Sequence, residues 1–147
     1  MRSSTGSGGR TEVTTDQGKL YVVDTHTLVW FIEDNSRLSG SARAILKASD
    51  ARIAVPVVTL AELAFLAEKG RISITLDRAL EHIDGAPDCT ICDMDRAVIQ
   101  CMPTSLNIHD AMIVGTAIMC RDVLGERVAL VTKDHEIAAS GLVDVVW

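Results

Sequence analysis

Hydrophobic positions in this chain follow two alternating patterns, short continuous runs and stripes at helical spacing. Continuous runs of a few apolar residues predict buried strands, and they occur at Leu20–Val23, Ile53–Val55, Cys89–Cys92, Val128–Thr132 and Val143–Trp147. Between these runs, apolar residues recur every three or four positions, which predicts amphipathic helices over Thr25–Glu33, Ser39–Ser49, Thr59–Lys69, Asp77–Ile83, Asp95–Met102, Ile108–Leu124 and Asp134–Ser140. Strands that alternate with helices indicate βαβ units. The sequence therefore predicts an α/β fold, with a central, mainly parallel β-sheet flanked by α-helices.

The first 19 residues do not share this pattern. Of residues 1–20, eleven are Gly, Ser or Thr, and only Met1, Val13 and Leu20 are apolar. A segment with so few apolar side chains cannot bury enough surface to offset the entropy lost on ordering. We therefore predict a flexible N-terminal tail over residues 1–19 and one folded domain over residues 20–147.

Composition narrows the class of protein further. The chain has 147 residues and a net charge of −6, which argues against unselective coating of nucleic acid. Its apolar runs fall short of the ~18 residues needed to cross a bilayer, so no membrane association is predicted. Four cysteines without a secretory signal favour a reducing, cytoplasmic setting. Cys89-x-x-Cys92 has no second pair to complete a zinc site, and we interpret both residues as small apolar side chains.

Four acidic residues lie where predicted strands end or the next helices begin: Asp24, Glu62, Asp110 and Asp134. In an open parallel sheet these positions lie at one edge, which is where ligands bind. Carboxylates gathered there repel one another, raise one another's pKa values and need a cation. Oxygen ligands without an obligatory cysteine suit Mg²⁺ or Mn²⁺. The pattern predicts a metal-dependent phosphodiesterase.

Each acid also has a structural explanation, and taken singly that explanation is the commoner one. Thr59-x-x-Glu62 matches a capping box, and Asp110 lies where the dipole of the long helix favours an acid. Asp24 and Asp134 are suited to helix N-caps. Only the shared position at one sheet edge favours a site.

The segments around these acids resemble the motifs of PIN-domain proteins, and most of all those of the VapC-type toxins of bacterial toxin–antitoxin systems. The resemblance runs from about Leu20 to Trp147. It is carried by Leu20-Tyr-Val-Val-Asp24-Thr-His-Thr-Leu-Val-Trp30, Thr59-Leu-Ala-Glu62-Leu, Asn107-Ile-His-Asp110-Ala-Met-Ile-Val-Gly-Thr-Ala117, Leu130-Val-Thr132-Lys-Asp134 and Val143-Asp-Val-Val-Trp147. Each motif alone is loose, but all of them in this order are specific.

The resemblance implies a Mg²⁺-dependent endoribonuclease toxin that hydrolyses RNA phosphodiester bonds. It also implies a homodimer, and a cognate antitoxin that neutralises the toxin. The catalytic and metal-binding residues carried over are Asp24, Glu62, Asp110 and Asp134, with Mg²⁺ or Mn²⁺ as cofactor. Thr132 matches a hydroxyl position that supports the pocket. Asn107 stands where many relatives carry a further acid, which predicts a pocket with less negative charge.

Two other functions stay open at this point. A catalytically silent PIN-fold module that binds RNA or protein would need the same scaffold, and the intact acidic quartet argues against it. A phosphoacceptor receiver domain also holds Mg²⁺ in an acidic pocket, but it needs adjacent acids where Thr25 and His26 follow Asp24.

Histidine and basic side chains add expectations about the surroundings of the pocket. We expect His26 and His109 to flank it and His82 to be a surface residue. Candidate contacts to an RNA backbone are Arg37, Arg43, Lys47, Lys69, Arg71 and Lys133. The sequence alone does not show whether these side chains converge.

Overall fold

The computed structural model describes residues 18–147, so the predicted tail lies outside the described residues except for Gly18 and Lys19. The strands of the described chain are β1 Leu20–Val23, β2 Arg52–Pro56, β3 Cys89–Cys92, β4 Val128–Val131 and β5 Val145–Val146. Its helices are α1 Thr25–Glu33, α2 Gly40–Lys47, α3 Val57–Glu68, α4 Leu76–Asp84, α5 Arg96–Gln100, α6 Ile108–Asp122 and α7 His135–Ser140. Within residues 18–147, no helix is long and apolar enough to cross a membrane.

The five strands form one sheet in the order β3-β2-β1-β4-β5, and every neighbouring pair is parallel. The predicted α/β fold with a mainly parallel central sheet is confirmed. The chain first builds outward from β1 to β2 and β3, and then returns to place β4 on the other side of β1. This reversal makes the crevice between β1 and β4 a topological switch point, where ligands of such sheets bind.

Both faces of the sheet are buried, which explains the continuous apolar runs. Val22 packs in one core cluster with Val114 of α6, whereas its neighbour Val23 packs in the other cluster with Leu28 of α1. All four of these side chains are almost completely buried. Successive strand residues point to opposite faces, so a sheet covered on both sides needs apolar side chains at every position.

The start of α3 differs from the prediction. The helix begins at Val57, directly after the strand residue Pro56, and has no side-chain cap. The predicted capping box is therefore wrong: the buried Thr59 hydroxyl instead donates to the carbonyl oxygen of Val23 at 3.3 Å. Proline at the N-cap position has no side-chain oxygen to accept from the first N–H groups of the helix. Glu62 consequently lies on the second turn of α3, not the first.

Candidate functional site

The loops that leave β1 and β4 each begin a helix with an aspartate cap. The N–H of Thr27 donates to Oδ1 of Asp24 at 3.0 Å. The N–H groups of Glu136 and Ile137 donate to Oδ1 of Asp134 at 2.8 and 3.0 Å. Both aspartates are thus the N-caps that the sequence predicts. Since β1 and β4 are neighbouring strands in parallel register, the two caps lie at the same edge of the switch-point crevice.

Threonine hydroxyls fix these two loops to each other. The Thr132 side chain is only 1% exposed, and its hydroxyl donates to Oδ2 of Asp24 while accepting from the N–H of Asp134 at 3.0 Å. The buried Thr27 hydroxyl donates to the carbonyl oxygen of Val131 at 2.9 Å. Thr132 therefore connects both capping aspartates, and the position of the Asp24 carboxylate depends on it.

Asp110 is brought to the same edge by the beginning of α6. Asn107 is the N-cap of this helix, and its Oδ1 accepts from the N–H of Asp110 at 3.0 Å. The Asn107 amide Nδ2 in turn donates to Oδ2 of Asp110 at 2.8 Å. This reciprocal pair holds the Asp110 carboxylate in one orientation and stabilises its charged form.

Carboxylate groups from two helices meet at this edge. One oxygen from each of Asp110, Asp134 and Glu136 lies within 4.8 Å of the other two, the one such group found among residues 18–147. Desolvation raises the pKa of Asp110 above its ordinary value, and the charges of Asp134, Asp24 and Glu136 raise it further against the lowering effect of Asn107. The arrangement concentrates negative charge that a cation would neutralise.

The structure brings the predicted acids together unequally. Asp110 and Asp134 share the carboxylate group, and Asp24 lies close enough for its charge to act on Asp110. Glu62 is outside the group of three, and its Oε1 accepts from the Thr25 hydroxyl at 2.7 Å. It is thus connected to the site through the residue that follows Asp24.

Glu136 is a member of this group that the sequence analysis missed. It lies in the first turn of α7, two residues after Asp134. The spacing Asp-x-Glu shortly after a buried strand is the signal that could have found it, because an N-cap and the second residue of its helix lie on adjoining parts of one turn.

A pocket of about 480 Å³ opens beside these carboxylates. His26 lines it, as predicted, and so do His135, Trp30 and Lys133. His109 is exposed on the first turn of α6 and does not line this pocket.

His82 is also placed differently from the prediction, because it is not a free surface residue. It is half-buried and packs edge-on against Phe31, with ring centroids 5.6 Å apart.

The sheet is parallel and covered on both faces, and carboxylates cluster at its switch point, which is where ligands of α/β proteins bind. The family model of the PIN domain matches residues 21–141, so the chain belongs to the PIN domain family. The resemblance stated from the sequence motifs is confirmed at this level. No curated protein matches the sequence closely enough to count as a relative.

Solved structures from three toxin–antitoxin complexes share the fold. A chain of VapBC2 from Rickettsia felis, bound to a DNA fragment from the promoter, is 18% identical with a TM-score of 0.60, over 86% of this chain and 97% of that chain. A chain of DNA-bound VapBC from Salmonella typhimurium is 22% identical with a TM-score of 0.57, over 86% and 96%. A chain of a toxin–antitoxin complex from Klebsiella pneumoniae is 20% identical with a TM-score of 0.60, also over 86% and 96%. At these identities the likeness establishes the shared fold.

Proposed function

We propose that this protein is a metal-dependent endoribonuclease toxin that hydrolyses RNA phosphodiester bonds, with residues 20–147 as its catalytic PIN domain. The observation that carries the proposal is the group of three carboxylates, from Asp110, Asp134 and Glu136, within 4.8 Å of one another at the switch point. Membership of the PIN domain family supports it. The motif resemblance to VapC-type toxins supports RNA as the substrate.

The donor set fits a hard divalent cation. All of the clustered ligand atoms are carboxylate oxygens, which suit Mg²⁺ or Mn²⁺. Asp24, Asp110, Asp134 and Glu136 would hold the ion, and Glu62 would support them from α3. When bound, the ion polarises phosphate oxygens and activates water for hydrolysis.

The remaining residues of the site have positioning roles in this proposal. Thr132 orients the Asp24 carboxylate, and Asn107 orients that of Asp110 and opposes the rise in its pKa. One carboxylate of the cluster accepts the proton of the attacking water. Lys133, which lines the pocket, offers a positive charge to a phosphate.

Substituting capping aspartates with asparagine tests the proposal without removing the caps. Asparagine caps a helix as well as aspartate does, so Asp24→Asn and Asp134→Asn remove charge and keep the helix starts. Wild-type protein incubated with total RNA should cleave it in Mg²⁺ and not in EDTA, and both variants should lose this cleavage. Asp95→Asn is the matched control because Asp95 caps α5 with the same bond, from the N–H of Val98 at 3.1 Å.

Two outcomes would contradict the proposal. Full Mg²⁺-dependent cleavage by the Asp24→Asn variant would show that Asp24 is not a residue of the catalytic site. If the wild-type protein cleaves no RNA in Mg²⁺, the catalytically silent PIN scaffold becomes the better interpretation.

We further propose a cognate antitoxin and a homodimer as protein partners, and a cytoplasmic location. The shared fold with chains of toxin–antitoxin complexes supports the antitoxin. Large apolar side chains more than half exposed are available for protein contacts, and these are Phe65, Ile99, Ile108, Val123 and Leu124. Co-expression with the product of an adjacent small open reading frame should relieve growth inhibition, and size-exclusion chromatography reports the dimer. If growth inhibition persists with the product of every adjacent small open reading frame, the proposal of a cognate antitoxin is contradicted.

A further inference from the structure

A second pocket adjoins the acidic one and has the opposite charge. This groove, of about 420 Å³, lies between the end of α1 and the loop 70–73 that follows α3. Arg37 and Arg71 line it, together with Glu33. His26 and Trp30 line both the groove and the acidic pocket. These two side chains are therefore the shared wall between a negative site and a positive groove.

The two arginines of the groove have no acidic partner. Neither Arg37 nor Arg71 forms an ion pair with any residue of the described chain. Glu33, the acid in the groove, is already engaged, because its Oε2 accepts from the Ser73 hydroxyl at 2.5 Å and its Oε1 from Asn35. The guanidinium groups are thus available to bind an anion, and their planar donors match a phosphate.

Other basic side chains near this part of the chain are occupied. Arg43 and Lys47 both pair with Asp34. The Nζ of Lys69 lies 5.2 Å from the ring centroid of Phe65. Of the six basic residues that the sequence proposes for RNA contact, the structure thus brings Arg37 and Arg71 together in one groove.

Trp30 presents a half-buried aromatic surface at the shared wall. Its ring centroid lies 5.6 Å from that of His26 and 6.0 Å from that of Trp147. Lys133 Nζ lies 5.9 Å from the same centroid. Packed between these neighbours, a half-buried indole loses little freedom on binding. Unpaired bases of RNA stack on such aromatic side chains, whereas paired bases are already stacked within their helix.

We propose that this groove is a nucleotide-binding subsite for single-stranded RNA, next to the phosphate that is cleaved. The base of a flanking nucleotide stacks on Trp30, and its backbone phosphate binds Arg37 and Arg71. The inference rests on the proposed ribonuclease function, and it adds that the substrate is unpaired at this position. It also explains how a protein with a net charge of −6 holds RNA through one local basic surface.

Tryptophan fluorescence tests the stacking contact directly. The chain has two tryptophans, so Trp147→Phe leaves Trp30 as the only reporter. Combined with Asp110→Asn and measured in EDTA, this protein binds RNA without turnover. A single-stranded RNA oligonucleotide should quench its fluorescence on titration, and a duplex of the same sequence should quench it far less. Equal quenching by the duplex, or no quenching at all, would overturn the stacking contact.

Affinity and salt dependence test the arginines in the Asp110→Asn protein in EDTA. Arg37→Ala with Arg71→Ala should weaken binding of the single strand about tenfold. The slope of log K against log salt should fall by roughly 0.7, the change expected for the one phosphate that the two arginines no longer neutralise. The control is Arg78→Ala with Arg96→Ala, two exposed arginines outside the groove.

Trp30→Leu should weaken binding about tenfold, and Trp30→Phe should restore most of it because the aromatic face is kept.

These measurements separate the subsite from the nuclease. If wild-type protein cleaves RNA in Mg²⁺ but the Arg37/Arg71 pair variant binds as tightly as the Arg78/Arg96 control, the subsite is refuted and the nuclease stands. If no RNA is cleaved but both binding predictions hold, the nuclease is refuted and the groove remains an RNA-binding site.

Discussion

Titratable side chains are partly buried in two pockets of this protein. One pocket concentrates negative charge, whereas the other holds its buried histidine and cysteine side chains neutral. In the acidic pocket the carboxylates are crowded, yet each capping aspartate accepts hydrogen bonds from backbone N–H groups, and Asn107 donates to Asp110. The other pocket, an apolar cavity of about 230 Å³ between α1, α2, α4 and the starts of β2 and β3, contains His82 and Cys89. Burial lowers the pKa of His82 and raises that of Cys89 to about 11, so both are held neutral.

The difference lies in the hydrogen-bond donors around each group. A charged group that loses water needs donors or an opposite charge to compensate. The acidic pocket supplies N–H and hydroxyl donors but leaves negative charge in excess, which is the condition for binding a cation. In the apolar cavity burial favours the neutral forms of His82 and Cys89, so these two side chains act as packing. Burial alone therefore does not identify a functional group in this fold.

Loss of one repelled carboxylate should have the largest effect. Asp110→Asn should lower Mg²⁺-dependent RNA cleavage by about 10²- to 10³-fold, since a charge at the reacting centre is lost. Asp77→Asn is the control because Asp77 also lies in the first turn of a helix but outside the group of three carboxylates. Initial cleavage rates of a labelled RNA measure the effect, and equal rates for the two variants would place Asp110 outside the chemistry.

The same variant should be more stable than the wild type when no metal is bound. The pKa of Asp110 is raised in the fold, so its contribution to stability is present below the unfolded pKa of about 3.8 and is lost as pH rises through the folded pKa. Asparagine does not ionise, so the variant does not lose this stability as the pH rises. In EDTA, thermal unfolding should therefore show Asp110→Asn above the wild type at pH 7 and close to it at pH 3.5. A lower midpoint at pH 7 would contradict the repulsion inferred for this pocket.

Metal removal should produce the next largest change. An ion that binds only the folded state stabilises it by about 2.7 kcal/mol at one hundred times its Kd, so Mg²⁺ should raise the unfolding midpoint by several degrees. Asp134→Asn should lose most of this shift, while Asp95→Asn should keep it. Calorimetric scans in Mg²⁺ and EDTA measure the shift, and its absence in the wild type would argue against a cation site.

Local sequence patterns predict much of the acidic pocket. The runs Leu20–Val23 and Val128–Val131 are short, apolar and followed by an acid, so strand, turn and cap are all encoded within a few residues. The caps Asp24 and Asp134 follow from the same pattern. Parallel order then places both at one edge without further information.

Other features depend on contacts between distant segments. Thr59 and Glu62 match a capping box, yet Pro56 starts the helix earlier and frees both side chains to bond β1 and α1 instead. His82 looks like a surface residue until α4 packs it against Phe31. Local patterns carry no information about such partners, because the partners lie in distant segments of the chain.

The apolar cavity should show a smaller, pH-dependent effect. Desolvation, aided by Arg78, lowers the pKa of His82 below 6.5, so the neutral form is favoured in the fold. Its stabilising effect is fully present above pH 6.5 and is lost as pH falls through the folded pKa. Urea unfolding between pH 7 and pH 5 should show a smaller loss of stability for His82→Gln than for the wild type. A flat wild-type profile over this pH range would contradict the assignment.

Thiol labelling gives the smallest effect and tests the cavity without any substitution. Burial and the neighbouring Cys92 raise the pKa of Cys89 to about 11, and only the thiolate reacts with iodoacetamide. The labelling rate of Cys89, mapped by mass spectrometry, should therefore rise about tenfold for each pH unit from 7 to 10. In urea the same thiol is exposed to water, so its labelling rate should reach a plateau at a lower pH. A plateau near pH 8 in the folded protein would mean that the cavity admits charge, and the contrast between the two pockets would disappear.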